Sequence, residues 1–339
     1  MKIAVIGGGA WGTALADLLA RKGGFESVVV WARESEVVES INREHANHVF
    51  LPGAVLAPTL RASGDLAATA RGADVVVSSA PSHVVRDVMA RIAPVLTRGV
   101  MVVSASKGLE PDRLQTPCCV LGEVLPAGVP IAALSGPSFA LEVYQRQPTA
   151  VVAAARDHAV AQRVQQVFST NSFRVYSHTD VIGVELGGAL KNVIALAAGI
   201  LEGLGLGHNT RAALITRGLA EITRLGVVLG AESATFAGLA GMGDLLLTAT
   251  GPLSRNRSLG VELGRGKTLA EAQAGRASVA EGVNTARAAV TLAGRHGVEL
   301  PIAQQVTEVL FHGKSPREAI ADLMERELKA EQWGTELGR

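Results

Sequence analysis

The chain has 339 residues, 48% of them hydrophobic, which is enough for two globular domains with sizeable cores. Its 32 Lys and Arg balance 31 Asp and Glu, so the net charge of +1 gives no support for a nucleic-acid partner or a membrane surface. The adjacent cysteines, Cys118 and Cys119, match no disulfide framework or metal-ligand spacing, and no metal site is expected. The longest uncharged stretch, 124–141, is broken by three prolines, and Met1 leads straight into an apolar run. We therefore expect a cytoplasmic protein with no signal peptide and no membrane span.

The first motif is a glycine-rich turn near the N-terminus. The apolar run 2–6 predicts a strand, and a helical stretch begins at Ala10. Between and around these lie Gly7, Gly9 and Gly12 in the pattern GxGxxG, which is typical of a turn that binds a dinucleotide pyrophosphate at a helix N-terminus. Since the chain contains 38 glycines, a turn without a ligand is the alternative.

The end of the second strand indicates which cofactor is preferred. Residues 28–31 predict this strand, and Ala32 and Arg33 follow it. NAD-specific sites usually place a carboxylate there for the ribose 2′-hydroxyl, whereas an arginine can fork onto a 2′-phosphate. We predict that NADP(H) is preferred; because Glu34 is adjacent and Arg33 could simply be exposed, NAD(H) stays possible.

The distribution of apolar runs predicts two domains. Short, uniformly apolar runs separated by helical segments are typical of a parallel sheet covered on both faces; they lie near 58–60 and at 73–80, 99–104, 131–135, 150–155 and 173–176. Helical spacing then takes over, at 181–201, 210–229, 283–296 and 316–326. The predicted fold class is α/β. A Rossmann-type, mostly parallel sheet domain (1–180) is followed by an all-helical C-terminal domain (181–339).

Polar residues at the predicted strand ends are candidates for the site, because ligands of open parallel sheets gather there. Lys107 follows the strand 99–104, where a cation would face a nicotinamide and its substrate. The segment 135–140 follows the next strand. A loop lysine and an ordinary turn are the alternatives.

Lys191 is unusual because it lies in an almost entirely apolar helical stretch, beside Asn192. Burial of an unpaired ammonium is costly and lowers its pKa, which would suit a proton donor near neutral pH. On this interpretation, Lys191→Met should relieve the cost and raise thermal stability. The alternative is a lysine whose stem is buried while its ammonium reaches the surface.

Two later segments also carry candidate ligand-binding groups. Asp244 is a single carboxylate in an apolar segment, and 254–257 (Ser-Arg-Asn-Arg) concentrates donors that suit a phosphate. A solvated charged turn is the alternative for 254–257. The segment 279–282 has no interpretation on physical grounds alone.

Taken together, these segments resemble the bacterial type of NAD(P)-dependent glycerol-3-phosphate dehydrogenase. The resemblance extends over nearly the whole chain, through GGGAWGTALA (7–16), WAR (31–33), LPG (51–53), SKGLE (106–110), SGPSFA (135–140), GALKNVIALAAGI (188–200), LAGMGDLLLT (239–248), SRNRSLG (254–260) and VAEGVNTA (279–286).

The resemblance implies a role for each candidate residue. Lys191 would be the general acid/base, with Asn192 helping to fix its orientation. The residues implied to line the substrate site are Lys107, Gly136, Ser138, Lys191, Asp244, Ser254, Arg255 and Asn256. Those implied to contact the cofactor are Gly7, Gly9, Ala10, Trp11, Gly12, Arg33, Lys107, Ala140, Arg255, Val279 and Glu281. A cytoplasmic homodimer that supplies glycerol 3-phosphate for glycerophospholipid synthesis is also implied.

The expected reaction is hydride transfer between the nicotinamide and dihydroxyacetone phosphate, giving sn-glycerol 3-phosphate. Two other readings stay open at this point. One is a related reductase acting on a 3-hydroxyacid or ketopantoate, although the 254–257 cluster suits a phosphate dianion better. The other is a non-catalytic NADP(H)-sensing protein, which would not need a lysine at the nicotinamide.

Overall fold

A computed structural model describes residues 1–275, 280–328 and 330–331. An eight-stranded sheet dominates the N-terminal part, in the order β3-β2-β1-β4-β5-β6-β7-β8. All neighbouring strands are parallel except β6 and β7. The strands are β1 Lys2–Ile6, β2 Ser27–Trp31, β3 Arg61–Ser63, β4 Val75–Ser78, β5 Met101–Ser104, β6 Ile131–Ser135, β7 Thr149–Ala154 and β8 Phe173–His178. The predicted mostly parallel sheet is confirmed.

Helices cover both faces of this sheet, so the central strands have apolar residues on both sides. In β4, Val75 and Val77 pack into one core cluster and Val76 into another. The helices are α1 Ala10–Lys22, α2 Ser35–Glu44, α3 Leu66–Ala70, α4 Val85–Ile92, α5 Pro117–Val124, α6 Ala140–Tyr144 and α7 His158–Phe168. The parallel register places Ile6 beside Ser78 and Ser78 beside Ser104, which aligns the carboxyl ends of β1, β4 and β5. The glycine turn after β1 and the segment after β5 that contains Lys107 therefore begin at the same end of the parallel strands.

The short extended segment predicted near 58–60 lies slightly later in the chain. Pro58 and Thr59 form a turn, closed by the amide of Leu60 donating to the carbonyl of Ala57 (3.0 Å). The strand itself begins at Arg61, since the proline has no N–H to donate to a strand partner.

The second part of the chain contains helices and no strand among its described residues. Its helices are α8 Val181–Gly203, α9 His208–Val228, α10 Ser233–Phe236, α11 Asp244–Thr250, α12 Arg255–Gly264, α13 Leu269–Gln273, α14 Glu281–Arg295, α15 Pro301–Phe311 and α16 Pro316–Met324, with a π-helical turn at Leu239–Gly243. The chain divides into two units, 1–107 with 116–181 and 108–115 with 182–339, where the sequence predicted one division after residue 180.

Helix α8 is long and apolar enough to cross a membrane, judged by length and composition alone. Every residue from Gly183 to Leu201 is buried within the protein, however. This burial is typical of a core helix, and α8 is the central element of the helical unit's hydrophobic core.

The same core contains a carboxylate. Glu221 of α9 is 4% exposed and accepts hydrogen bonds from the amides of Ile302 (2.8 Å) and Ala303 (3.4 Å), in the first turn of α15. Desolvation by burial raises the pKa of Glu221 to about 7, against the opposing effects of these two hydrogen bonds and of the charges of Arg224 and Arg217. Glu221 thus accepts from two amides of the buried N-terminus of α15, which have no partner within that helix, but it is costly to ionise.

Glu221 should therefore make the stability of the protein depend on pH. The folded protein holds this proton up to about pH 7, whereas the unfolded chain releases it near 4.5, so the free energy of unfolding should fall as pH rises between these values. The contribution is at most about 3 kcal/mol. We expect Glu221→Gln to flatten this part of the stability profile, measured by urea unfolding at pH 5 and pH 8. Glu325→Gln, at an exposed site, is the control and should keep the wild-type slope. An unchanged slope in Glu221→Gln would contradict the assignment.

Candidate active site

The glycine turn has the shape that the motif predicts. Gly7 adopts a φ of +129°, a conformation that other residues rarely take. A Cβ on Gly12 would lie 1.9 Å from the carbonyl oxygen of Gly7, so helix and strand could not pack this closely with a side chain there. A Cβ on Gly9 would meet no described atom within 4 Å. Gly7 and Gly12 are thus required by the fold, while the space above Gly9 is open.

That open space lies at the N-terminus of α1. Gly9 is the N-cap residue, and no side chain among the described residues caps the helix. The first amides of α1, beginning with Ala10, therefore suit an anion. Next to them, the Trp11 indole donates to the carbonyl oxygen of Ala105 (3.1 Å), just beyond β5, which fixes the ring. These residues fit a bound pyrophosphate.

Arg33 lies at the end of β2 as predicted, and its side chain is 83% exposed. Its guanidinium donates two hydrogen bonds to one carboxylate oxygen of Glu34 (3.1 and 2.9 Å). The preceding Ala32 is buried. An exposed cation is thus available, in competition with the neighbouring acid.

Hydrogen bonds connect three of the predicted substrate-site residues beyond the carboxyl ends of β5 and β6: Lys107, Gly136 and Ser138. The Lys107 ammonium donates to the carbonyl oxygen of Gly136 (2.9 Å) and lies 3.5 Å from the Ser138 hydroxyl, which donates to the same carbonyl (2.9 Å). Gly136 has a φ of +138°, and a Cβ there would lie 3.0 Å from the Cα of Val151. Ala140 begins α6 directly afterwards.

The Lys191 ammonium is buried and paired. Its side chain is 7% exposed, and Nζ donates to Oδ1 of Asp244 and to the hydroxyl of Thr248 (2.8 Å). Asp244 is 1% exposed. The alternative of an ammonium reaching the surface is therefore wrong. This pairing reverses the expected effect of Lys191→Met on stability, because the substitution would remove the cation beside the buried Asp244 carboxylate.

Close backbone packing brings this pair together. A Cβ on Gly187 of α8 would lie 2.5 Å from the carbonyl oxygen of Ala240, in the π-helical turn. Lys191 and Asp244 each follow this contact by one helical turn. Thr248 lies a turn further along α11 than Asp244, on the same face. Thr248 was not among the site residues predicted from the sequence; its helical spacing from Asp244 was the signal that could have found it.

The cluster 254–257 forms the cap and first turn of α12. The Ser254 hydroxyl accepts a hydrogen bond from the amide of Arg257 (3.2 Å) and so caps the helix. The Asn256 amide bridges two other helices: Nδ2 donates to Oδ1 of Asn192 (2.9 Å), and Oδ1 accepts from the amide of Gly282 (2.9 Å). One N–H of Asn256 is left over from these bonds.

The two arginines of this cluster have different surroundings. Arg255 is open to solvent but flanked by protein, and the resulting desolvation lowers its pKa, while the charge of Glu281 opposes this shift. Arg257 instead donates to Glu202 of α8 (2.6 Å). Only Arg255 is thus positioned as a partner for an added anion. Glu281 is the first residue of α14, and the predicted contact Val279 lies outside the described residues.

No group of three or more His, Cys, Asp or Glu side chains that could hold a metal ion occurs in the described part of the chain. The N-terminal unit has a glycine turn whose geometry suits a dinucleotide pyrophosphate, and the helical unit has a buried, hydrogen-bonded lysine. These are the components of a nicotinamide-dependent dehydrogenase.

Comparisons with known proteins identify the family. Residues 2–161 and 180–321 match the models of the N-terminus and the C-terminus of NAD-dependent glycerol-3-phosphate dehydrogenase. A protein of Geobacter sulfurreducens named glycerol-3-phosphate dehydrogenase [NAD(P)+] is 57% identical, covering 98% of this chain and 99% of its own. The chain therefore belongs to the NAD-dependent glycerol-3-phosphate dehydrogenase family.

Solved structures agree with this assignment. The crystal structure of glycerol-3-phosphate dehydrogenase from Coxiella burnetii has a TM-score of 0.91 at 40% identity, covering 96% of this chain and 99% of its own. The Saccharomyces cerevisiae enzyme has a TM-score of 0.82 at 28% identity, with the same coverage of both chains.

The open space above Gly9 gives a testable pair of substitutions. We expect Gly9→Ala to fold with a normal melting temperature but to bind NADPH at least about tenfold more weakly, because the methyl group occupies space that the pyrophosphate needs. Gly12→Ala should instead lower stability by about 1–3 kcal/mol, since the turn must open. Melting curves and NADPH titrations of both variants check this. Normal NADPH affinity in Gly9→Ala would refute the placement of the cofactor.

Proposed function

We propose that the protein interconverts sn-glycerol 3-phosphate and dihydroxyacetone phosphate with NAD(P)(H). The observation that carries this proposal is the buried Lys191 ammonium, held by Asp244 and Thr248. A buried ammonium with two fixed partners has a defined direction and can place a proton at one substrate atom. The names of the relatives, matched over nearly the full length of the chain, supply the substrate.

The chemistry follows from where charge develops. When bound, the nicotinamide supplies a hydride to the carbonyl carbon, and negative charge builds up on the carbonyl oxygen. Lys191 donates a proton to that oxygen, which completes the alcohol and leaves a neutral amine. Asp244 and Thr248 keep the ammonium directed, and the reverse reaction uses the neutral amine as base. Lys107 adds a second cation near the substrate, as the resemblance implies.

The first turn of α12 holds the phosphate in this proposal. Arg255 offers a planar fork of donors, and the helix N-terminus adds a favourable field for an anion. Ser254 and the remaining N–H of Asn256 complete the set. Binding of the phosphate, which does not react, then positions the carbonyl group.

The glycine turn, Trp11, Ala140, Arg255 and Glu281 hold the cofactor in this proposal, and Val279 is kept as a contact from the sequence. Arg33 favours NADP(H) over NAD(H), once its guanidinium turns from Glu34 to the 2′-phosphate. We also propose a cytoplasmic homodimer that supplies glycerol 3-phosphate for glycerophospholipid synthesis; the family resemblance supports these points.

A spectrophotometric assay of NADPH consumption tests the proposed reaction. We expect oxidation with dihydroxyacetone phosphate and very little with unphosphorylated dihydroxyacetone or with ketopantoate. Comparable rates with dihydroxyacetone phosphate and with dihydroxyacetone would contradict the proposed phosphate site. Faster turnover of ketopantoate would favour the related reductase, and NADPH binding with no turnover of any substrate would favour the sensing protein.

Replacement of Lys191 tests the proton donor. We expect Lys191→Met to lower kcat by at least about 10²–10⁴-fold, the usual contribution of a positioned acid. Loss of the buried cation beside the Asp244 carboxylate should cost about 3–5 kcal/mol of stability. The matched control is Lys191→Met combined with Asp244→Asn, which should recover stability without recovering turnover. Near-normal kcat in Lys191→Met would rule out this lysine as the donor.

Replacement of Arg33 tests the cofactor preference. We expect wild type to use NADPH better than NADH, and Arg33→Asp to weaken NADPH binding by roughly 10–150-fold through loss of a charge-assisted contact. Glu34→Gln is the control: it removes the competing negative charge and should leave NADPH binding at least as strong. Equal efficiency with both cofactors, unchanged in Arg33→Asp, would contradict this assignment.

A further inference from the structure

Helices α8 and α12 are in contact through a pattern that repeats every fourth residue. The first contact is a hydrogen bond between the side chains of Asn192 and Asn256. One turn further along both helices, a Cβ on Gly260 would lie 2.1 Å from the carbonyl oxygen of Leu196. After another turn, a Cβ on Gly264 would lie 2.3 Å from the carbonyl oxygen of Ile200. The two helices therefore run in the same direction at one constant register.

The glycines of α8 complete this contact from the other side. A Cβ on Gly199 would lie 2.0 Å from the carbonyl oxygen of Arg257, and one on Gly203 would lie 2.3 Å from that of Val261. Each helix thus presents two glycines, four residues apart, to the backbone of the other. Such pairs allow two backbones to touch. Glycines, however, determine how closely two helices approach but do less to prevent one helix from sliding along the other, because they have no side chains to interlock.

Side-chain contacts supply what the glycines lack: the Asn192–Asn256 hydrogen bond does so in the middle of α8, and the ion pair of Glu202 and Arg257 does so at its end. The side chains of this ion pair are 31% and 17% exposed, and Nη2 of Arg257 lies 2.6 Å from Oε1 of Glu202. Glu202 is in the last turn of α8 and Arg257 in the first turn of α12, so each charge is at the helix end where the dipole disfavours it. The pair therefore does not serve the stability of either helix alone. It joins the end of one helix to the start of the other.

We propose that Arg257 is a positioning residue: through Glu202 it fixes the register of α12 on α8, and hence the position of Arg255 relative to Lys191. The proposal rests on the proposed function, in which Arg255 holds the phosphate and Lys191 protonates the carbonyl oxygen. A slide of α12 would let the phosphate bind while the carbonyl group lies out of reach of the ammonium. The loss should then appear in kcat rather than in KM, in contrast to removal of Arg255.

The experiment is steady-state kinetics with dihydroxyacetone phosphate on Arg257→Ala, Arg257→Lys, Glu202→Gln and the double variant Glu202→Gln/Arg257→Ala. We expect Arg257→Ala to lower kcat roughly 10–100-fold, because a misplacement near 1 Å can cost about 10²-fold, with KM changed less than about threefold. Glu202→Gln should have a similar effect, the double variant should be no worse than Arg257→Ala, and Arg257→Lys should recover part of the loss. Arg255→Ala should mainly raise KM.

Three controls separate register from stability. Arg265→Ala removes an exposed ion pair with Glu262 (3.0 Å) at the other end of α12 and should leave kcat unchanged. Arg211→Ala removes the looser partner of Glu202 (3.5 Å) and should change kcat less than about twofold. Val306→Ala, at a buried core position, should lower the melting temperature but not kcat at the assay temperature.

Several outcomes would overturn the proposal. These are wild-type kcat in Arg257→Ala, additive losses in the double variant, or a fall in kcat that Val306→Ala reproduces at an equal loss of melting temperature. If wild type reduces dihydroxyacetone phosphate and the variants have the same kcat, the positioning role is wrong but the proposed function stands. A wild type that does not reduce dihydroxyacetone phosphate removes the proposed function, and the positioning role with it.

Discussion

Close contact with the backbone of α8 is the constraint on which the helical unit depends. Gly187 admits the turn that precedes Asp244, and Gly199 and Gly203 admit α12. Between these contacts lie Lys191 and Asn192, the polar residues of a segment that is otherwise apolar or small. Because backbone contacts cannot be relieved by changing a rotamer, they fix the main chain at both residues, and hydrogen bonds with Asp244, Thr248 and Asn256 orient the side chains. Rigid support of this kind is what a proton donor requires.

The candidate anion sites of the two units depend on different physical means. In the N-terminal unit, the candidate groups are backbone amides at the start of α1. The sequence must lack side chains at Gly7 and Gly12 for the turn to form, and at Gly9 to leave space for an anion. In the helical unit, the candidate groups are side chains: an arginine at a helix N-terminus, and an ammonium whose own cost of burial is offset by a carboxylate. A site built from backbone amides should tolerate substitution of most neighbouring side chains. A site built from side chains depends on the identity of several residues at once.

Local features could be predicted from the sequence, and distant pairings could not. The glycine turn, the apolar strands and the helical second half are each encoded within short segments, and the structure agrees with them. Lys191 stood out because a charge in an apolar run is visible in one dimension. Its partners Asp244 and Thr248 are 53 and 57 residues away, and no local pattern relates them to it. The cluster 254–257 seemed uniform for the same reason: nothing local distinguishes Arg255 from Arg257, which contacts Glu202 across 55 residues.

The path of the chain at 108–115 has a consequence for how the two units can be separated. This segment belongs to the helical unit although strands of the other unit flank it on both sides in the sequence, and its Leu109 and Leu114 lie in the helical core. A fragment cut at residue 182 would therefore lack two of its own core leucines and expose the apolar surface that they cover. During synthesis, these leucines emerge long before the helices that bury them. The C-terminal half should therefore not be expressed without residues 108–115. A chimera that combines halves of two relatives must take this segment from the same relative as the C-terminal half.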